Sequence, residues 1–128
     1  MIPYLLVAIG GAIGSVLRFR AGIVVGGFWR DAFPVGTLLI NVVGSAVMGL
    51  FVGTMSRFLP PWQNEARLFF AVGVLGGFTT FSSFSLDAVT LLERGAVLPA
   101  LAYVLVSVIG GLLALWLALV IMRIGVPS

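Results

Sequence analysis

Residues 76–85 read Gly-Gly-Phe-Thr-Thr-Phe-Ser-Ser-Phe-Ser: a glycine pair, five hydroxyl side chains and three phenylalanines in ten positions. They lie inside an apolar stretch long enough to cross a bilayer. Hydroxyls and free backbone groups are costly in hydrocarbon, where no water satisfies them, so they persist there only against protein or along a polar cavity. The chemistry open to such a segment is the binding and release of a small ion. Glycine lowers helix propensity by about 1 kcal/mol per residue relative to alanine, and the two β-branched threonines are stiff at χ1. A break near 76–79 would free backbone carbonyls in mid-membrane, and carbonyls at such a break ligate small cations. A straight helix whose glycines only pack against a neighbour fits the same residues.

Phe78, Phe81 and Phe84 are each three apart, adjoining positions on one helical face. Thr79 or Thr80, Ser83 and Asp87 form a neighbouring stripe. The rings either face lipid or line an interior path, and their interleaving with hydroxyls favours the interior. An aromatic ring has a positive edge, which stabilises a partly dehydrated anion. Donors from Ser, Thr, Tyr103 and Asn41 replace lost water. A fixed cation would hold the anion too tightly, whereas conduction needs weak, repeated sites. No basic residue stands between Arg67 and Arg94. Asn41 lies in the middle of another apolar stretch, as an interhelical hydrogen-bonding partner or as a lining donor.

The elements that carry these residues follow from composition. The chain has 128 residues, 61% hydrophobic and 9% charged, against about a quarter charged in a soluble domain. Apolar runs predict one all-α membrane domain over 1–128, with spans near 2–28, 32–56, 68–92 and 95–122. Each approaches or exceeds the roughly 20 residues a transmembrane helix needs, although Arg18 and Arg20 interrupt the first. Met1-Ile2-Pro3-Tyr4 has no basic segment before its apolar run, so no cleavable signal is expected. With no Cys, no His and four acidic residues, thiol chemistry is excluded and a metal cluster or acid–base site is hard to build. The basic pI near 10.7 comes from seven arginines at loops and helix ends. Membrane ends explain them, and no nucleic-acid partner is expected.

Small residues repeat at helical spacing: Gly10 and Gly14; Ser45, Gly49 and Gly53; Ser107 and Gly111, with Ala114 and Ala118 offset. Such stripes let helices approach closely in lipid. Arg57, Arg67 and Arg123 fall on one side of a four-span topology, and Arg30, Arg94 and, if they lie at the end of the first span, Arg18 and Arg20 on the other. Three against four gives the positive-inside rule little to act on. The chain either inserts both ways, making an antiparallel two-fold homodimer the natural closed assembly, or holds one weakly biased orientation.

Three segments carry a family resemblance: Phe-Pro-Val-Gly-Thr-Leu-Leu-Ile-Asn at 33–41, the string at 76–85, and Glu93-Arg94-Gly95. With the Gly14–Arg18 turn and the span count, they resemble the Fluc (CrcB) family of microbial fluoride channels over the whole chain. The resemblance implies an antiparallel dual-topology homodimer of four-span chains, with a broken third helix and two fluoride pores. Phe81 and Phe84 would present ring edges to fluoride, and Asn41 would be a pore-lining donor. Ser82, Ser83, Tyr103 and Ser107 would extend the polar track. The carbonyls of Gly76 and Thr79 from both subunits would hold a structural Na⁺ at the dimer centre, and Arg18 would be a charge near a pore mouth. Ser83 stands where the family often has Thr, and Gly110-Gly111 where it often has a hydroxyl after the Gly. The implied activity is passive fluoride export across a bacterial inner membrane, with lipid as the surrounding partner. A small dual-topology multidrug or guanidinium exporter is the alternative; it requires a membrane-embedded acid in the first span, and residues 2–17 contain none.

Overall fold

The computed structural model describes residues 1–28 and 33–124. Four segments are long and apolar enough to cross a membrane. The first helix, Ile2–Phe28, runs unbroken through Arg18 and Arg20. The second span was expected from Ala32, which lies outside the described residues, as does Arg30. Its helix begins at Val35, directly after Pro34, and ends at Phe58; a proline at a helix start gives up no hydrogen bond. Leu59 stops that helix in the left-handed region (φ 46°, ψ 53°), its N–H donating to Met55 O at 2.9 Å. Pro60 and Pro61 come next and cannot extend the helix.

The third span is composite. A turn at Gln63–Ala66 leads into a π-helical stretch, Arg67–Leu75, and a last turn at Gly76–Phe78. Thr79 (φ −86°, ψ 153°) and Thr80 (φ −151°, ψ 123°) are extended, and the helix resumes over Phe81–Glu93. Gly95, at φ 78°, makes the tight turn into the fourth helix, Val97–Arg123, a conformation that glycine takes without steric cost.

The helices associate through their small residues. The first lies against the front half of the third span, where a Cβ on Gly10 would strike Phe69 O and one on Gly14 would strike Val74 O. The second lies against the fourth, where a Cβ on Gly49 would come 2.5 Å from Leu115 O and one on Gly53 2.5 Å from Met122 Cβ. Close backbone approach without a hydrophobic driving force is how helices associate in lipid. The back half of the third span joins the fourth helix through buried Leu91, Ala100 and Tyr103, with Phe84 and Ala88 packed on them. Large apolar side chains cover the outside, among them Leu112 and Trp116, as lipid demands.

Candidate ion pathway

The sequence predicts a break near 76–79; the chain opens at Thr79 and Thr80, the C-terminal edge of that range. Gly76 and Gly77 stay helical, and the smallness of Gly77 serves packing. A Cβ on Gly77 would come 2.6 Å from Gly11 O and 3.1 Å from Ser15 N. The threonines open the chain because other groups satisfy their backbone. The Thr80 N–H donates to Asn41 Oδ1 at 3.0 Å, and Asn41 Nδ2 donates to Thr80 O at 3.2 Å. One carboxamide on the second helix thus replaces partners that a continuous third helix would have supplied. Thr80 also caps the next helix, its Oγ1 accepting from Ser83 N–H at 3.3 Å and pairing with Ser82 Oγ at 3.1 Å. Upstream, Leu75 O accepts from both the N–H and the Oγ1 of Thr79, each at 2.9 Å. Gly77 O accepts from Arg18 Nε at 3.2 Å. Among the described residues, the carbonyls of Gly76 and Thr79 accept no hydrogen bond.

Two cavities flank the opening. The inner, about 370 Å³, is lined by Asn41, Thr79, Phe81, Phe84 and Ser107 among others, and by no charged residue. The Ser107 hydroxyl is buried and, among the described residues, has no hydrogen-bond partner. The outer cavity, about 600 Å³, collects Ser15, Arg18, Thr37, Ser83 and Asp87. Thr80 lines both, so the extended residues are the wall between them. Arg18 stands ten residues before the end of the first helix, or about 15 Å along its axis.

A family model described as CrcB-like protein, Camphor Resistance (CrcB), matches residues 5–119. The chain belongs to the CrcB family. Relatives named "Fluoride-specific ion channel FluC" align over nearly the whole of it. That of Mesorhizobium japonicum is 49% identical over 123 residues, 96% of this chain and 98% of the relative. That of Chelativorans sp. (strain BNC1) is 50% identical with the same coverage, and that of Agrobacterium fabrum is 49% identical over 123 residues.

In this CrcB chain, then, Asn41, Phe81, Phe84, Thr79 and Ser107 meet at one cavity, while Ser83 and Arg18 line the other. Ser82 is exposed at the helix start. Tyr103 lines neither cavity: it is fully buried, its OH donating to Asp87 Oδ2 at 3.3 Å. Its ring meets Phe33 edge-on at 5.7 Å and Phe84 at 5.2 Å between centroids. The expected face of Phe78, Phe81 and Phe84 is divided. Phe81 and Phe84 lie 5.7 Å apart, but the extended residues turn Phe78 away, over Gly44. Arg18 and Arg20 join the second set of arginines only if they end the first span; the helix runs on to Phe28, and Arg18 reaches the third span. Sequence reasoning missed Thr37 and Ser15 in the outer cavity. Thr37 stands one turn before Asn41, a spacing that would have found it; Ser15 had no signal beyond standing three residues before Arg18.

Proposed function

We propose that this chain is a passive, fluoride-selective channel of the bacterial inner membrane, carrying cytoplasmic fluoride out down its electrochemical gradient. The observation that carries the reading is the uncharged inner cavity, where a carboxamide, two aromatic rings and a partnerless hydroxyl converge. The names of the relatives supply the ion. Asn41 Nδ2 spends one hydrogen on Thr80 O and keeps the other. Ser107 offers an uncommitted O–H. The edges of Phe81 and Phe84 complete a weak cage for a small, partly dehydrated anion. The one arginine near the path, Arg18, faces the outer cavity, so it draws anions in without trapping them in the cage. Each of these groups binds and releases; none forms or breaks a covalent bond, and the protein is a channel rather than an enzyme.

The working unit in this reading is an antiparallel, dual-topology homodimer with two pores. A single copy leaves Phe81 79% exposed and the inner cavity open on one side, and a two-fold mate would close it. The same mate would bring a second set of free Gly76 and Thr79 carbonyls to the first. Those carbonyls suit a structural Na⁺, a hard cation that would neutralise four inward-facing dipoles. Ser82 and Ser83 would continue the hydroxyl track, and Tyr103 would brace Phe84 from behind. A proton-coupled multidrug or guanidinium exporter is disfavoured because the first helix contains no acidic residue and Asp87 is engaged by Tyr103. Expression in a bacterium stripped of fluoride exporters tests the choice. Growth restored in fluoride, with no gain against guanidinium or quaternary-ammonium compounds, supports the channel; the reverse pattern selects the exporter.

A further inference from the structure

At the end of the molecule where the second and fourth helices stop and the third span starts, two grooves share Val52 and Ser56 as a common wall. The larger, about 440 Å³, has apolar walls of Phe51, Met55 and Leu59, with Arg67 at its rim. The smaller, about 160 Å³, has Leu119 and Met122 as walls and Arg57 and Arg123 as rim. We propose that this corner is a binding site for an anionic phospholipid, its phosphate held by Arg57, Arg67 and Arg123 and an acyl chain laid along Phe51 and Met55.

Three observations support the assignment. Among the described residues, the only side-chain hydrogen bond to these guanidinium groups is from Arg67 Nη2 to Asn64 Oδ1 at 3.3 Å, and Arg57 Nη1 makes a long bond to Met122 O at 3.5 Å. Most of their donors therefore remain available, and a guanidinium fork matches phosphate oxygens in both charge and geometry. The depth is right as well: exposed Trp62 comes directly after the corner, and tryptophan settles at the headgroup level. Finally, the corner is preformed. Leu59 holds its left-handed turn through Met55 O, and the fixed φ of Pro60 and Pro61 stiffens the next two positions. A rigid cleft that is apolar toward the bilayer and cationic at the phosphate level is complementary to an anionic amphiphile rather than to a free anion.

The test reads lipid retention, not flux, so it stands or falls separately from the channel assignment. Native mass spectrometry would compare phosphatidylglycerol with phosphatidylcholine of identical acyl chains on the detergent-released protein. The site predicts preferential, saturable retention of phosphatidylglycerol. It also predicts that the triple variant Arg57→Gln, Arg67→Gln, Arg123→Gln loses roughly tenfold more retention than the equally discharged Arg20→Gln, Arg30→Gln, Arg94→Gln. Equal retention of the two lipids, or equal losses in the two variants, would mean delocalised attraction and overturn the proposal. If the triple variant does not fold, Arg67→Gln against Arg94→Gln makes the same comparison with one charge removed from each.

Discussion

Asn41 clamps the opened third span and, in the proposed channel, also donates to the ion; two substitutions separate the two roles. Asn41→Ala removes both bonds to Thr80. The Thr80 N–H then has no partner, at about 1–3 kcal/mol, and Thr80 O loses a second bond worth about 0.5–1.5 kcal/mol. The sum, about 1.5–4.5 kcal/mol, corresponds to a factor between roughly ten and two thousand. Thr80 is only half-buried, so water recovers part of the loss and the lower figure applies. Asn41→Asp keeps an oxygen for the Thr80 N–H, as a charge-assisted acceptor, but loses the donor and adds a negative charge at the anion cavity. Hydrogen–deuterium exchange over 76–85, read beside fluoride flux, distinguishes the two. The alanine variant should exchange about tenfold faster at Thr80 and conduct poorly; the aspartate variant should stay protected and still conduct poorly. If both variants exchange alike, the clamp is wrong. If the aspartate variant conducts normally, Asn41 is not an ion donor.

The phenylalanines should separate by stability but not by function. Phe84→Ile loses ring pairs with Phe81 and Tyr103 and should cost about 1–3 kcal/mol, against about 0.5–1.5 kcal/mol for exposed Phe81→Ile, which loses one; thermal unfolding in detergent measures the difference, and both should lower fluoride flux. Gly44→Ala would drive a Cβ into Thr79 Cγ2 and shift the opened segment, so flux should fall at a modest cost in stability of about 1–3 kcal/mol. Gly14→Ala meets backbone rather than a side chain, and loss of folded protein on size-exclusion chromatography is its expected result. Replacing Na⁺ by N-methylglucamine on both sides of the membrane should lower flux if the Gly76 and Thr79 carbonyls hold that cation, and leave it unchanged if they do not.

Much of this arrangement was legible because lipid simplifies the code. Runs without charge marked the spans, and small residues four apart marked the faces that meet, Gly10 and Gly14 on one pair, Gly49 and Gly53 on the other. The opening of the third span was legible in kind, and it falls at the C-terminal edge of the expected range. Propensity pointed to the glycines, yet tertiary contact with Gly11 and Ser15 keeps Gly77 helical, and a side chain 39 positions away captures Thr80. No local rule sees that capture. The reach of Arg18 to Gly77 O, 59 residues on, is likewise outside any local pattern. Tyr103 was grouped with the polar track for its hydroxyl; burial directs that hydroxyl to Asp87 and leaves its ring to support Phe84.

The central claim is that the cavity of Asn41, Phe81, Phe84 and Ser107 passes fluoride and little else. Initial efflux of fluoride and of chloride from liposomes holding the purified protein, with valinomycin carrying the compensating potassium current, is the measurement that decides it. Fluoride should leave rapidly, chloride no faster than from protein-free liposomes, and fluoride more slowly when Ser107 becomes Ala. Equal loss of the two anions, or fluoride loss indistinguishable from empty liposomes, would contradict it.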